Sequence, residues 1–390
     1  MTMKKTLPKK LFSLLLLALI AAGCCSTKKC ITLIAPAEQS TIVQHPKEMH
    51  EFLQLPSAPR KDYFNDKAKR EVLYGQHRSE ANEFRWNSDV ELADCTVEFA
   101  MDKDFTVSAQ ELVLGIDKAN QTAKVCNFMT GKTVYWRVKG TTKDGKKAAS
   151  PIGSFKTEEL LPRQITLPGV DNVRDVGGWK TADGRRMRQG IIFRSAGLNL
   201  DSPDWQWDEK KRIDPKKSRI GETVIKQEGI DYFVGKVGMK TELDLRWDGE
   251  VAVMTESPMG KAVNWIHISS YDYGSLFTER GMKAVREDFR LFADKKNYPI
   301  VFHCIAGADR TGTLAYILCG LVGVAEDDLR KDWEVTARNY FSYTLYDRIA
   351  PGFDKCGKPE DPLSVKIQNF LLSVGVTQEE IDAYKAIILE

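Results

Sequence analysis

Residues 300–312 read IVFHCIAGADRTG, and this stretch decides the fold of the second half of the chain. A short apolar run, typical of a buried strand, ends at Cys304, and Arg310 begins a helical pattern six residues later. Gly307 allows the loop between them a backbone conformation that a side chain would obstruct. The amide N–H groups of such a loop can turn inward and, with the N-terminal end of the following helix, form a cradle for an anion.

This cradle predicts a nucleophilic cysteine. Its positive potential, together with Arg310, favours the thiolate form of Cys304, which is the form that attacks. The Arg310 guanidinium can donate to two phosphoryl oxygens at once and hold them through an in-line displacement. The Thr311 hydroxyl can donate to the sulfur and help it to leave when water attacks. The sequence therefore predicts phosphomonoester hydrolysis through a phosphocysteine, with no cofactor and no metal.

Strands and helices alternate from about residue 159 to residue 390. This alternation predicts an α/β domain with a central, mostly parallel sheet flanked by helices, and ligands are then expected at the carboxyl ends of the strands. The predicted strands are 187–194, 241–246, 264–269 and 298–302, and the predicted helices are 223–237, 281–295 and 311–321.

Residues 31–157 show a different pattern, with short alternating strands separated by turns. The strand pattern is clearest at 96–100 and 134–138, and Lys143-Asp144-Gly145 is a typical turn. We predict an all-β sandwich here. The phrasing VYWRVKG, KDGK and SPIGSFKT resembles the last strands of fibronectin type III-like domains in bacterial surface lipoproteins. The charged stretch 47–78 is predicted to be a solvated insertion, and the sequence leaves the partner of the sandwich open.

The N-terminus has the pattern of an export signal. Four lysines precede the apolar run Leu11–Ala22, which is shorter than the roughly 20 residues of a membrane-spanning helix. The sequence AAGC at 21–24 resembles a bacterial lipoprotein box, which implies a signal peptide at 1–23, lipidation of Cys24 and a tether at 24–30. We therefore expect a membrane-anchored lipoprotein of the cell envelope, periplasmic or surface-facing. The alternative is an ordinary signal peptide that is cleaved nearby.

Composition excludes several classes of function. The chain has 57 basic and 54 acidic residues, and losing the four lysines of the signal leaves 53 against 54, a net charge of −1. A near-neutral chain lacks the electrostatic footprint of a nucleic-acid-binding protein. Five histidines, with no HExxH and no paired CxxC, argue against a metal centre built from histidine or cysteine. Cys95 and Cys126 could pair in an oxidising compartment, which the sequence leaves open.

Three motifs together resemble one family. Cys304 to Arg310 is the Cys-x5-Arg signature of protein tyrosine phosphatases. NVRDVGG at 172–178, followed by GIIFRS at 190–195, and DLR at 244–246 with Glu250 resemble further elements of a bacterial tyrosine and dual-specificity phosphatase family known from secreted mycobacterial enzymes. The resemblance spans about 165–390, with an extra segment near 199–222, and it does not cover the predicted sandwich.

The resemblance implies roles for the matching positions. Cys304 is the nucleophile, Arg310 binds the phosphoryl group, and Asp309 is the general acid, with Asp244 and Asp272 as rivals for that role. An acid is needed because the leaving oxygen requires a proton. The remaining loop positions are expected to bind the substrate: Ile305, Ala306, Gly307, Ala308 and Thr311.

Other motif residues are expected around the loop. Asp244 and Arg246 either contact the substrate or form an ion pair at the end of a strand. Arg174 and Asp175 are expected to brace the loop from behind. His303 is expected to orient the loop by hydrogen bonding.

Protein phosphotyrosine is the expected substrate, although any small phosphomonoester fits the chemistry. The family usually has lysine where this chain has Ala308, which weakens the case for inositol polyphosphates or phosphoinositides. Residues 199–222 hold Trp205, Trp207 and a basic run that either flanks the pocket or forms a solvated loop. Two alternatives stay open: an inositol-polyphosphate or phosphoinositide phosphatase, and a non-catalytic surface lipoprotein that binds a phosphorylated ligand.

Overall fold

The computed structural model of the protein describes residues 30–73, 78–199, 223–337 and 347–390. The predictions for the signal peptide, Cys24 and most of the 199–222 segment lie outside these residues. Within them, no helix has both the length and the apolar character needed to cross a membrane.

Nine strands of the first half form two sheets. One sheet has the order β1-β3-β6-β5, and the other has the order β2-β9-β7-β4, with β8 paired to β7. Aromatic side chains from both sheets, among them Phe84, Phe99, Trp136 and Phe155, meet in one core. Cys95 belongs to this core, and Cys126 is buried at the end of β6; both are free thiols. The strands are β1 Ile31–Ala35, β2 Thr41–Ile42, β3 Asn82–Ser88, β4 Leu92–Ala100, β5 Leu112–Asp117, β6 Thr122–Cys126, β7 Thr133–Thr142, β8 Lys147–Ala149 and β9 Gly153–Thr157.

Helices interrupt the strands of this half, so the all-β expectation is wrong between residues 47 and 72. The helices are α1 Lys47–Gln54, α2 Ser57–Asn65 and α3 Lys67–Val72. The solvated face predicted for this stretch is present in part: Lys47, Lys61 and Lys69 are exposed, whereas Arg60 is fully buried. Met49, Phe52 and Leu53 recur at helical spacing, and they are buried in the core of the second half. The high density of charge in this stretch hid that apolar face in the sequence.

The second half contains a five-stranded sheet with the order β10-β11-β14-β12-β13. Only β10 and β11 pair antiparallel, so the predicted mostly parallel sheet is present. The last residues of the four parallel strands are in register with one another: Ser195, His303, Asp244 and His267. The strands are β10 Arg174–Asp175, β11 Ile192–Ser195, β12 Thr241–Asp244, β13 Asn264–His267 and β14 Ile300–His303.

Helices cover this sheet. The helix that follows β14 is buried along nearly its whole length, since its sequence is apolar on most sides. A short helix at 227–230 continues as a π-helix at 231–237, a later start than the predicted 223. The α-helices are α4 Gln227–Ile230, α5 Glu279–Phe292, α6 Asp309–Leu321, α7 Glu326–Ala337, α8 Ala350–Phe353, α9 Leu363–Ser373 and α10 Gln378–Ile388.

Candidate active site

The loop between β14 and α6 has its carbonyl groups turned outward. Three successive carbonyls each accept a hydrogen bond from the surrounding scaffold rather than from within the loop. The pairs are Ile305 with the N–H of Gly197 (2.8 Å), Ala306 with Nδ2 of Asn172 (2.9 Å), and Gly307 with Nη2 of Arg194 (2.8 Å). Because the carbonyls face the scaffold, the peptide N–H groups of the loop face the space beside Cys304.

Gly307 is required by this course of the backbone. Its φ angle is +65°, in the left-handed region that side-chain-bearing residues rarely adopt. A Cβ at this position would lie 2.2 Å from the carbonyl oxygen of Ser195. The loop can therefore pass against the end of β11 only with glycine here.

Cys304 follows β14 directly and is buried, with His303 before it. The two ring nitrogens of His303 face the Cys304 carbonyl at 3.1 Å and a Glu242 carboxylate oxygen at 3.0 Å. Both partners are acceptors, so a doubly protonated ring satisfies both. Burial lowers the pKa of His303, but the carboxylates of Asp244 and Glu242 outweigh burial and raise that pKa. His303 thus connects the start of the loop to Glu242, and its role in orienting the loop stays a prediction.

Arg310 is the second residue of α6, and its guanidinium is held in place on two sides. Nη1 donates to a carboxylate oxygen of the buried Glu250 at 2.6 Å and to the Leu245 carbonyl at 3.3 Å. The Trp247 ring lies under the guanidinium, 4.9 Å from its central carbon. Burial lowers the pKa of Arg310, yet the Cys304 sulfur and the Glu250 carboxylate more than offset burial, so that pKa is raised. The arginine is a fixed cation next to the thiol.

The environment of Asp309 favours the protonated form of its carboxyl. Burial raises the pKa of its carboxyl, and the nearby Asp272 raises it further, against the hydrogen bond from Tyr273. Asp244 is the opposite case. Burial raises its pKa, but His303 and Arg246 lower it to about 2, so Asp244 is a carboxylate with no proton to donate. Asp309 is therefore the better general acid of the two.

Asp244 and Arg246 are fully buried and bonded to each other, with Arg246 Nη2 2.6 Å from Asp244 Oδ2. Arg246 also donates to the Asn199 side chain at 2.8 Å. The buried ion pair is the strand-end role of the two that were expected, and contact of these residues with a substrate stays a prediction.

Arg174 and Asp175 face different parts of the molecule. Arg174 donates to the side chains of Asn172 and Asp332, at 2.7 and 2.6 Å, and so supports the loop through Asn172. Asp175 accepts from backbone N–H groups of Gly177 and Gly190 and pairs with Arg163 at 2.8 Å. The expected bracing of the loop is therefore wrong for Asp175, which holds the junction with the first half.

Thr311 does not make the hydrogen bond that the sequence suggested. Its hydroxyl is buried and has no hydrogen-bond partner within the described chain. The predicted contact with the Cys304 sulfur is therefore not formed in this structure.

The comparisons with known proteins bear on this half of the chain. Residues 165–210 and 222–353 match the model of the tyrosine phosphatase family. A protein of Cupriavidus necator named "Putative tyrosine-protein phosphatase" is 27% identical over 213 residues, which cover 48% of this chain and 68% of that protein. These two matches support a phosphatase of this family in the second half of the chain.

One solved structure is also similar: the core catalytic domain of the PP-IP phosphatase SIW14 from S. cerevisiae, in complex with citrate. It is 12% identical and the match covers 43% of this chain and 93% of that domain, with a TM-score of 0.23. We draw no conclusion from a likeness of that size.

Among the described residues, one group has a geometry that could suit a metal: Glu242, Asp244 and His303, with potential ligand atoms within 4.8 Å of one another. Both ring nitrogens of His303 already contact protein oxygens, those of the Cys304 carbonyl and the Glu242 carboxylate. An ion-pair network under the loop accounts for this cluster.

Several residues of the site were not assigned a role from the sequence. Asn172, Arg194 and Glu250 lie inside the family-like motifs, so their motif positions were the available signal. Tyr273, which donates to Asp309 at 2.7 Å, and Trp247, which stacks on Arg310, carry no local signal because loops bring them to the site.

Proposed function

We propose that this chain is a phosphatase that hydrolyses phosphotyrosine in proteins through a phosphocysteine on Cys304. The observation that carries the proposal is the loop itself, with three successive carbonyls bonded outward around a buried cysteine and a fixed Arg310 at the next helix. Such a loop binds the three outer oxygens of a phosphoryl group with its N–H groups and the arginine fork.

The reaction takes two displacements. In the first, the Cys304 thiolate forms a bond to phosphorus while the bond from phosphorus to the leaving oxygen breaks, and Asp309 gives that oxygen its proton. In the second, water forms a bond to phosphorus and loses a proton to Asp309, and the sulfur leaves as a thiolate. Arg310 and the loop N–H groups stabilise the charge on the phosphoryl oxygens in both steps.

An aromatic phosphoester is the substrate we favour. Trp247 is 38% exposed and covers one side of Arg310, so an aromatic face lies beside the phosphate-binding fork. Ala308, in place of the lysine usual in the family, removes a cation that a multiply phosphorylated ligand would use. Both features favour one phosphate on an aromatic ring over an inositol polyphosphate.

We further propose that the protein is exported and anchored by a lipid on Cys24, so that the phosphatase works in the cell envelope. The support is the lysine-rich start, the short apolar run and the AAGC sequence at 21–24. Metabolic labelling with a radioactive fatty acid should mark the wild-type protein and leave Cys24→Ser unlabelled. Equal labelling of both would contradict the anchor.

The activity can be tested on the chain from Cys25 onward, assayed with p-nitrophenyl phosphate in the presence of a chelator. We expect the wild-type protein to hydrolyse this substrate. The rate should fall by at least a thousandfold in Cys304→Ser and by about a hundredfold in Arg310→Lys. Cys356→Ser, which changes a cysteine outside the loop, should retain full activity. Turnover that persists in Cys304→Ser would refute the nucleophile.

The substrate class needs a second measurement. We expect kcat/KM on a phosphotyrosine peptide to exceed that on a phosphoserine peptide and on inositol hexakisphosphate. A preference for inositol hexakisphosphate would replace the proposed substrate. Tight phosphopeptide binding with no turnover and no trapped phosphocysteine would favour a non-catalytic ligand-binding lipoprotein.

A further inference from the structure

Tyr273 lies directly beside the proposed general acid. Its hydroxyl donates to Oδ1 of Asp309 at 2.7 Å, and its backbone N–H donates to Oγ1 of Thr313 at 3.0 Å. Asp309 and Thr313 are one turn apart on α6, so both contacts reach the same face of that helix. Tyr273 is therefore attached at two points to the first turn after the loop.

The Tyr273 side chain is buried, and the buried Trp333 of α7 lies near its hydroxyl. A phenolic hydroxyl has a single proton, and in Tyr273 that proton is directed to Asp309. Tyr273 therefore acts on Asp309 as a hydrogen-bond donor.

The backbone at Tyr273 is strained. Its φ angle is +43°, a region that a bulky residue adopts only when its surroundings enforce it. The hydrogen bonds to Asp309 and Thr313 are what enforce it here. Strain of this kind at a candidate active site is a reason to look for a functional role.

We infer that Tyr273 is a positioning residue for the acid–base step, an inference that rests on the proposed function. Because Tyr273 occupies Oδ1 of Asp309 as a donor, the transferable proton must sit on Oδ2. In the first displacement that proton moves from Oδ2 to the leaving oxygen as the phosphorus–oxygen bond breaks and the sulfur–phosphorus bond forms. In the second, Oδ2 takes a proton from the attacking water as the sulfur–phosphorus bond breaks.

The charged and titratable groups that face Asp309 are Tyr273 and Asp272 from the preceding loop and Arg310 on its own helix. The hydrogen bond from Tyr273 lowers the pKa of Asp309. Its removal should therefore raise that pKa. Since the acid acts in its protonated form, the fall of kcat at alkaline pH should then begin at a higher pH. The maximal kcat should decrease, because the carboxyl is no longer held in place.

Tyr273→Phe tests this inference, with kcat measured against pH on two aryl phosphates. Phenyl phosphate has a poor leaving group that needs the proton, and p-nitrophenyl phosphate has a good one. We expect kcat on phenyl phosphate to fall about tenfold, kcat on p-nitrophenyl phosphate to fall less than about threefold, and the alkaline limb to move to higher pH. In an Asp309→Asn background, Tyr273→Phe should cause no further loss on phenyl phosphate.

Two more variants complete the experiment. Thr313→Val removes the acceptor of the Tyr273 backbone N–H and should move both readouts in the same direction by a smaller amount, and it replaces Tyr273→Phe should that variant not fold. Tyr384→Phe is the matched control, because it also removes a buried hydroxyl bonded to α6, at Leu318 (3.0 Å), away from Asp309. It should leave both readouts unchanged.

Three results would overturn the role of Tyr273. They are equal losses of kcat on the two aryl phosphates, an alkaline fall of kcat that stays at the wild-type pH, and effects of Tyr273→Phe and Asp309→Asn on kcat that are fully additive. These results leave the proposed function intact, because wild-type turnover that depends on Cys304 is measured in the same series. A folded wild-type chain without such turnover would instead overturn the proposed function, and the inference with it.

Discussion

Glu250 is the residue that decides where the Arg310 fork lies. Its buried carboxylate accepts from Nη1 of Arg310 at 2.6 Å and from Nη2 at 3.3 Å, and it also accepts from the backbone N–H of Trp247, which ties it to the segment that follows β12. A guanidinium has five N–H donors, and Glu250 occupies only some of them. Donors therefore remain for a phosphoryl group.

Glu250→Gln should therefore weaken phosphate binding while Arg310 keeps its charge. A charge-assisted hydrogen bond is worth about 1.5–3 kcal/mol, so we expect kcat/KM on p-nitrophenyl phosphate to fall by about ten- to a hundredfold. The inhibition constant of inorganic phosphate should rise in parallel. Glu256→Gln, a neighbouring exposed carboxylate, is the control. Unchanged phosphate inhibition in Glu250→Gln would contradict this role.

The carboxyl end of β12 carries the Asp244 carboxylate, which stabilises the folded chain only above acid pH. The folded-state pKa of Asp244 is about 2, below its ordinary value of 3.8, because His303 and Arg246 outweigh burial. A group with a lowered pKa contributes stability above its unfolded pKa and loses it as the pH falls through the folded value. The contribution, about 2 kcal/mol, should be complete above about pH 4 and lost between about pH 4 and 2.

Asp244→Asn should remove this pH-dependent contribution to the free energy of unfolding. We expect the free energy of unfolding in urea to depend less steeply on pH between about 4 and 2 in this variant, and to be lower at neutral pH because Arg246 loses its buried partner. Asp248→Asn, whose carboxylate is 91% exposed, provides the comparison. If the free energy of unfolding depends equally steeply on acid pH in Asp244→Asn and in wild type, Asp244 does not make this contribution.

Helix α7 connects three parts of the molecule through successive residues. Asp332 pairs with Arg174 and Arg194 behind the loop, Trp333 lies near the Tyr273 hydroxyl, and Glu334 pairs with Arg60 of α2. Successive helical residues point about 100° apart, so one short helix can reach three neighbours. A small rotation of α7 would disturb the loop, the general acid and the contact with the first half together.

Across the whole molecule, the sequence predicts what is local and misses what folding brings together. Cys304 and Arg310 are identified because the loop needs its residues at fixed spacing, and the parallel sheet follows from alternating strands and helices. Tyr273 and Asp309 lie 36 residues apart, and Arg60 and Glu334 lie 274 residues apart. No spacing rule connects such pairs, and the charge around Arg60 made a solvated surface the natural expectation.

The two halves are joined by buried polar groups as well as by apolar packing. Arg163 donates to the carbonyls of Phe128 and Asn127 on one side and to Asp175 on the other. Asp175 directly precedes the glycine-rich turn of the second half, and Arg174 beside it supports the loop. The junction is therefore part of the same structure that holds the active site, and we expect the two halves to unfold in one transition.

Arg60 gives a test of that coupling. Its side chain is fully buried, with Nε 2.6 Å from a carboxylate oxygen of the equally buried Glu334. Arg60→Met leaves Glu334 as a buried charge without this partner, which should lower the free energy of unfolding by about 3–5 kcal/mol. Adding Glu334→Leu removes that charge and should restore most of the loss, since a well-packed apolar pair can replace a buried ion pair.

Urea unfolding followed by two probes, tryptophan fluorescence and inactivation of the phosphatase, should show coincident midpoints in wild type and in each variant. If the halves are coupled as their shared core implies, Arg60→Met lowers both midpoints equally, although the substitution lies in the first half. A midpoint for inactivation that stays at the wild-type value while fluorescence shifts would show that α2 unfolds independently of the catalytic half, and the buried contacts at Glu334 would then carry no coupling.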